Sequence, residues 1–285
     1  MSCIAEDWMQ RVMEQSESEV KEEIDWPILL IHRSVRKMFW VISSTLGVSD
    51  KGVPGSACRL MEKYLSRRIK RFVGQTPGIH RDREQWEQYK NNMSNQFYLL
   101  LAACILLAAK MSGTITNIST DVVREVLQKE GCTHTRDEIK AAEYEVFRTL
   151  DFHLPIWSTV EIAEFFLVKQ LGLTESQIVE GVGLTMDLAE FQRNELELHM
   201  QTTNPSTTGS GSRRISIRSV HLCAGVVVAT LRHFGSSTAL RVRLLAQLTR
   251  TTPAHLVAIA DGISQYVLLT PPKHRPNILK RRRDT

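Results

Sequence analysis

The chain has 285 residues, 42% of them hydrophobic and 24% charged, which excludes wholesale disorder and a fibrous repeat and allows one large or two ordinary domains. The net charge of +5 comes from residues 271–285, which hold six Lys or Arg and one acid, so a basic body that coats nucleic acid is not expected. The five cysteines are odd in number and never form CxxC, so neither a disulfide framework nor a zinc site is indicated, and a reducing intracellular compartment is favoured.

Membrane insertion and secretion are not expected from the sequence. The longest apolar run, 97–109, ends at Lys110 and is shorter than the roughly 18 to 20 residues that a bilayer requires. The first residues include Glu6 and Asp7 and lack the basic start and apolar stretch of a signal peptide.

The first predicted element is an amphipathic helix within an N-terminal segment, residues 1–27. Ile4, Trp8 and Val12, and later Val20 and Ile24, recur at four-residue steps with acids between them. A terminal helix that packs on the body of the protein is favoured over one that binds a partner.

Five helical segments are predicted in a first domain, residues 28–155, near 28–46, 55–71, 92–111, 119–130 and 135–150. A capping box of Thr135 and Glu138 marks one helix start, and Gly131 is a candidate C-cap. The polar stretch 72–91 is predicted as a long loop, although Arg83–Trp86 (REQW) indicates some local order. Basic residues along 59–71 are interpreted as a solvated helix face.

Five more helices are predicted in a second domain, residues 156–270, near 158–171, 174–199, 214–234, 237–249 and 253–269. Ser158 with Glu161 and Thr174 with Gln177 form predicted capping boxes, and Pro253 lies in a first turn. The stretch 201–212 is rich in Ser, Thr and Gly and is predicted to be a flexible loop, while 271–285 forms a basic tail. The fold class is therefore all-α.

Catalytic motifs are not found in the sequence. It contains no Gly-rich phosphate loop, HExxH, GxSxG or metal-spaced set of His and Cys. Neighbouring acids on helices are interpreted as solvated faces. We therefore expect an interaction protein and not an enzyme, with no catalytic residue, cofactor site or metal site.

The most informative segments are the apolar helix FYLLLAACILLAAK, 97–110, and the segment AEYEVFRTLDFHLP, 142–155. A helix that is apolar all round is predicted to lie at the centre of a bundle. These segments resemble the third and fifth helices of the cyclin box. The resemblance covers roughly 28–155 well and 156–269 weakly. It implies a tandem cyclin-box fold of two five-helix bundles, the second divergent, plus the N-terminal helix.

The resemblance also implies a kinase interface. In kinase-activating cyclins the corresponding lysine and glutamate meet backbone groups of the kinase's regulatory helix, and this role falls on Lys110 and Glu143. The flanking apolar contacts would be Leu107, Met111, Phe152 and Leu154. The alternative is that Lys110 and Glu143 pair with each other or with water, which would contribute about 0 to 1 kcal/mol to stability.

Differences from cell-cycle cyclins indicate which branch of the cyclins the sequence resembles. Met111, Ser112 and Gly113 follow the lysine where many cell-cycle cyclins have two acids, and 35–42 does not reproduce their substrate-recruiting patch. With the polar stretch at REQW and the segments 116–139 and 248–268, the chain is similar to the cyclin N-terminal domain-containing family of meiotic crossover factors. This similarity implies a nuclear, chromosome-associated protein of meiotic cells that promotes crossover formation at recombination sites with a cyclin-dependent kinase as partner.

The sequence also contains two short motifs and allows two alternative functions. Ser216 follows two arginines in a pattern typical of basophilic-kinase sites, and Lys280, Arg281, Arg282 and Arg283 are typical of a nuclear localisation signal. One alternative function is a kinase-independent adaptor with a cyclin fold that scaffolds recombination, repair or ubiquitin-ligase proteins through the N-terminal helix and the second domain. The other is a tandem cyclin fold that binds DNA directly, which the neutral charge of residues 1–270 disfavours.

Overall fold

A computed structural model describes residues 3–25, 31–75, 83–113, 118–155, 157–203 and 217–269, and all regular structure within these ranges is helical. The chain divides into two compact units. The first unit comprises Ile28–Ile31 and Met38–Ile156, and the second unit comprises Met1–Pro27, His32–Lys37 and Trp157–Thr285.

The first unit is built around one apolar helix. Its helices are α2 (Arg33–Thr45, of which the first turn groups with the second unit), α3 (Val53–Gln75), α4 (Arg83–Asn95), α5 (Phe97–Met111), α6 (Thr120–Lys129) and α7 (Arg136–Thr149). Every side chain from Leu100 to Ala109 is buried, because α5 packs against α3, α7, α6 and α4. The prediction of a central helix at 97–110 is confirmed.

Local sequence signals account for two helix ends in the first unit. The capping box of Thr135 and Glu138 is present at the start of α7, with the Thr135 hydroxyl and the Glu138 carboxylate each accepting a backbone N–H. At the end of α6, Gly131 has a φ of +80°, and the N–H of Cys132 donates to the Leu127 carbonyl at 2.9 Å. This is the left-handed C-terminal motif for which glycine is favoured.

The prediction of a loop over 72–91 is wrong for its described part, since α3 continues to Gln75 and α4 occupies Arg83–Asn95. Stacked aromatic rings account for α4: Tyr89 lies 4.2 Å from Phe72 and 5.7 Å from Trp86 between ring centroids. The predicted helix 92–111 is in fact the end of α4 followed by α5 after a bend of 55°. Within the described ranges, no single helix is long and apolar enough to cross a membrane, and only the bent pair α4 and α5 together reaches that length and composition.

The second unit also surrounds a buried helix. Its helices are α1 (Cys3–Asp25), α8 (Thr159–Phe165) with a π-helical turn at Phe166–Gln170, α9 (Ser176–Phe191), α10 (Arg193–Thr203), α11 (Ser219–His233), α12 (Ala239–Leu248) and α13 (Pro253–Ile263) with a π-helical turn at Ser264–Leu268. Every residue from Ser219 to Leu231 is buried. A Cβ on Gly225 would lie 2.4 Å from Cγ2 of Ile259, so glycine allows α11 and α13 to pack closely.

The N-terminal helix α1 packs on the second unit with its apolar side. Val12 and Met13 belong to the core, and the ring of Trp8 stacks on Phe165 at 3.8 Å. Polar contacts extend the same packing, because Arg250 donates to Glu17 at 2.6 Å and Ser219 donates to Glu19 at 2.9 Å. The apolar side chains Trp8, Val12 and Met13 of α1 are therefore covered within its own unit.

Helix starts in the second unit follow the sequence at two places and depart from it at a third. The Ser158 and Glu161 capping box is present, and α13 begins with Pro253 after Thr252, whose side chain accepts the N–H of His255. The capping box predicted at Thr174 and Gln177 is wrong, since α9 begins at Ser176 after Glu175, which makes no side-chain cap. The described part of 201–212, Gln201–Thr203, is the end of α10 and not loop.

The predicted helix 174–199 is two helices, because α9 ends at Phe191 and α10 begins at Arg193. Buried charges surround this break. The Arg193 side chain contacts Glu197 at 3.3 Å and donates to the Ile217 carbonyl at 2.7 Å, while Glu197 accepts the N–H of Ile217 at 2.7 Å. Both backbone groups of Ile217 are thereby held, and α11 begins at Ser219, later than the predicted start at 214.

Candidate protein-binding surface

Lys110 and Glu143 are brought together in the first unit, on neighbouring helices. Lys110 lies in the last turn of α5, where a cation is favoured by the helix dipole, and Glu143 lies on α7 beside the inward-facing Ala142 and Val146. The Lys110 ammonium donates to Oε1 of Glu143. The lysine side chain remains 63% exposed, whereas that of the glutamate is 16% exposed.

This ion pair is the alternative that the sequence left open, but it leaves hydrogen-bonding groups on both side chains. An ammonium has three donors and a carboxylate accepts through two oxygens, so a partner can still bind beside the pair. A partly exposed ion pair contributes little to stability, about 0 to 1 kcal/mol. The exposed ammonium of Lys110 is the more accessible of the two groups.

Apolar side chains adjoin the pair in sequence and in space. Met111, next to Lys110, is exposed, and so is Tyr144, next to Glu143. Phe152 is 55% exposed, with its ring centroid 6.5 Å from that of Tyr144. We call the set Lys110, Met111, Glu143, Tyr144 and Phe152 the Lys110 surface. Exposed aromatic and Met side chains beside a charged group are typical of protein interfaces.

Two of the predicted contact residues are less exposed than a direct contact requires, and one exposed residue of the surface was not predicted. Leu107 is only 6% exposed and packs in the core, so its predicted direct contact is corrected to a supporting position. Leu154 is half-buried. Tyr144 was not predicted, although its place two positions from both of the inward-facing residues Ala142 and Val146 puts it on the outer side of α7 and was available as a signal.

The backbone that presents Phe152 is unusual. Asp151 and Phe152 both have positive φ values, +52° and +60°, a conformation that costs an L-residue about 1–2 kcal/mol. Their N–H groups donate to the carbonyls of Arg148 and Phe147, each at 3.0 Å, which closes the end of α7. The Phe152 ring meets the Phe147 ring edge-on at 4.9 Å.

Arginines of α3 bind the turn that follows α7. Arg67 contacts Asp151 at 2.8 Å and donates to the Thr149 carbonyl at 3.2 Å, and Arg71 lies 3.6 Å from Asp151. Arg68 contacts Glu145 at 3.3 Å. Three of the basic residues interpreted as a solvated face are therefore paired with acids of α7 and its exit, which leaves less positive charge for phosphate groups.

Two titratable side chains of the first unit, Tyr64 and Cys104, are buried. Burial raises the pKa of Tyr64 to about 12 and also raises the pKa of the Cys104 thiol. No group of three or more His, Cys, Asp or Glu side chains that could hold a metal ion occurs in the described ranges.

Comparison with known proteins gives two kinds of match. Over 122 residues, 41% of this chain, the sequence is 27% identical to "Cyclin N-terminal domain-containing protein 1" of Homo sapiens and 25% identical to the protein of the same name of Mus musculus. The fold matches a viral cyclin from herpesvirus saimiri with a TM-score of 0.54 and 14% identity, over 90% of this chain and 98% of that one.

The chain resembles cyclin-box proteins in sequence and in fold. Its fold is the all-α cyclin-box fold that the sequence predicted. No family model matches the chain. The matches to the two curated relatives cover 37% and 36% of their lengths.

Three predictions made from the sequence fall outside the described residues. They concern the Ser216 phosphosite, the nuclear localisation signal Lys280–Arg283 and most of the loop 201–212. All three stay predictions.

Proposed function

We propose that this cyclin-box protein is a regulatory subunit that binds and positions a cyclin-dependent kinase through the Lys110 surface. The observation that carries the proposal is the Lys110–Glu143 pair beside the exposed Met111, Tyr144 and Phe152. A helix end offers unpaired N–H and C=O groups, which a carboxylate and an ammonium can bind, while the apolar side chains pack on the helix sides.

The proposed mechanism is a shift of conformational populations. If the Lys110 surface fits the regulatory helix of the kinase only in its active position, binding stabilises that position by the difference in affinity between the two states. No catalytic group of the cyclin-box protein is needed for this effect.

The cellular part of the proposal is the promotion of meiotic crossover formation at recombination sites. It rests on the resemblance of the sequence to the cyclin N-terminal domain-containing family of meiotic crossover factors, which implies this role. The proposed location is therefore the nucleus of meiotic cells, on chromosomes, with Lys280–Arg283 as the import signal and other recombination proteins as further partners.

The kinase-independent adaptor remains the second candidate, since Lys110 and Glu143 pair with each other without a partner. One of its two expected surfaces is no longer available in the free protein, because the apolar side of α1 packs on Phe165 and the core of the second unit.

Co-expression pull-downs with a panel of cyclin-dependent kinases test the proposal. The decisive variant is the double exchange Lys110→Glu with Glu143→Lys, which preserves an ion pair within the protein but inverts the charges that a kinase meets. We expect wild type to capture one kinase and raise its activity, and the double variant to lose capture while its thermal unfolding is unchanged.

A matched control exchanges the charges of another exposed ion pair, Arg232→Asp with Asp261→Arg, whose charged atoms lie 2.7 Å apart in wild type. This control should capture the kinase like wild type. Equal capture by the Lys110/Glu143 variant would refute the proposed interface. Failure of folded wild type to capture any kinase would favour the adaptor. Crossover foci counted in germ cells that lack the endogenous protein, and express either wild type or the double variant, test the meiotic role.

A further inference from the structure

Helix α12 of the second unit has two apolar sides, although only one packs on the core. Val242, Leu245 and Ala246 are buried. On the opposite side Leu240 is 79% exposed and Leu244 is 37% exposed. Residues four apart lie on the same helix face, so the two leucines form one exposed pair. A single exposed leucine needs no explanation, but a pair on the outer face of an amphipathic helix is a candidate interaction site.

Arginines without carboxylate partners accompany the leucines. Arg243 is exposed on the same face, between Leu240 and Leu244, and makes no hydrogen bond or ion pair with the described residues. Arg241 donates to the Ser237 carbonyl at 3.2 Å and has no other polar partner in those ranges. By contrast, Arg232 and Arg250 of the same unit each contact a carboxylate, at 2.7 Å and 2.6 Å.

The charge of the surrounding sequence is one-sided. Residues 198–260 contain seven arginines and no Asp, Glu or Lys, although residues 1–270 as a whole are neutral. The nearest acid after α12 is Asp261, which is already paired with Arg232. The segment that carries the exposed leucine pair therefore has a positive formal charge, and neither Arg241 nor Arg243 contacts a carboxylate of the described residues.

These features fit an acidic, amphipathic helix better than a nucleic acid. Phosphate binding requires clustered cations, whereas the outer face of α12 presents mainly leucine. A partner helix can place apolar side chains on Leu240 and Leu244 and carboxylates beside Arg241 and Arg243. The acidic helix of this chain, α1, has its apolar side packed in its own unit, so the occupant is another protein.

We propose that the outer face of α12, formed by Leu240, Arg243 and Leu244 with Arg241 at its edge, is a docking site for an acidic amphipathic helix of a partner protein. This site is independent of the Lys110 surface. It gives the second cyclin-like unit a binding role of its own.

Fluorescence anisotropy of the full chain with designed peptides tests the site. The probe is a synthetic amphipathic helix with leucines along one face and glutamates flanking them. One matched control peptide has glutamine in place of glutamate, a second has serine in place of leucine, and a short DNA duplex serves as the nucleic-acid probe.

We expect wild type to bind the acidic leucine peptide and to bind each control peptide at least about tenfold more weakly, since both anchors and charges contribute. The double variant Leu240→Ala with Leu244→Ala and the single variant Arg243→Glu should each weaken binding by about tenfold or more. Val41→Ala, at an exposed apolar position of the first unit, should bind like wild type.

Three results would overturn the proposal: no binding of the acidic peptide by folded wild type, equal binding by the double alanine variant, or binding of the DNA duplex alone. Circular dichroism of each variant shows that it is folded. None of these results depends on kinase capture, so the outcome is separate from that of the proposed function.

Discussion

Substitutions of Phe152 are expected to change both the stability of the protein and its binding of a kinase. Phe152→Gly and Phe152→Ala both remove the aromatic ring from the Lys110 surface, but only glycine adopts a φ of +60° without strain. Alanine there keeps a cost of about 1–2 kcal/mol, and glycine loses about 0.4–1 kcal/mol through the greater freedom of its unfolded chain. The glycine variant should therefore be more stable than the alanine variant by about 1 kcal/mol.

Urea unfolding of the full-length variants, compared by their midpoints, measures this difference. The matched control is Val122 in α6, an exposed residue with helical backbone, where Val122→Gly should be less stable than Val122→Ala by about 1 kcal/mol. The sign of the glycine–alanine difference is thus expected to reverse between the two positions.

Kinase capture by the same two Phe152 variants tests whether the strained turn serves to present the Phe152 ring to a kinase. If the ring contacts a kinase, both variants should capture it more weakly than wild type, to the same extent, although their stabilities differ. Capture equal to that of wild type would show that Phe152 is not a contact. An alanine variant at least as stable as the glycine variant would contradict the left-handed backbone itself.

Two further predictions concern the core of the second unit. Burial lowers the pKa of His221 from 6.5 to about 4, so the unfolded chain takes up a proton at a higher pH than the folded chain, and stability is lost as the pH falls from about 6.5 to about 4. The free energy of unfolding, measured with urea, should be lower at pH 5 than at pH 7 by up to about 2 kcal/mol, and the difference should be smaller in His221→Gln. Gly225→Ala should lower the free energy of unfolding by about 1–3 kcal/mol, because its Cβ would overlap Ile259. The double variant Gly225→Ala with Ile259→Ala should be destabilised by less than the sum of the two single variants. Strict additivity in urea unfolding would contradict this packing.

The sequence predicted those features that depend on neighbouring residues. The central apolar helix at 97–110 and the capping boxes at Thr135 and Ser158 follow from local pattern and local hydrogen bonding, and the structure contains them. The Lys110–Glu143 pair could be named only through the family resemblance, because its two members are 33 residues apart in the chain.

Features that depend on distant residues were missed for a physical reason. Helix α4 has no buried residue, so its hydrophobic pattern is weak, and its stacking on Phe72 is visible only in three dimensions. Likewise, the separation of α9 from α10 coincides with the contacts of Arg193 and Glu197 to Ile217, about 20 residues farther along the chain. Leu107 was placed at the surface because the sequence does not show on which side of a wholly apolar helix the bundle ends.

The packing of α1 also affects how the chain folds during synthesis. Glu19 is separated from its partner Ser219 by 200 residues, so at about 5 to 20 residues per second α1 waits roughly 10 to 40 s for that contact. Over this interval Val12, Met13 and Trp8 lack the core that covers them in the finished protein. The first unit is formed mainly by one contiguous stretch of chain, Met38–Ile156, whereas the second unit is completed only after α11 and α13 have emerged, so α1 is accessible to chaperones in the meantime.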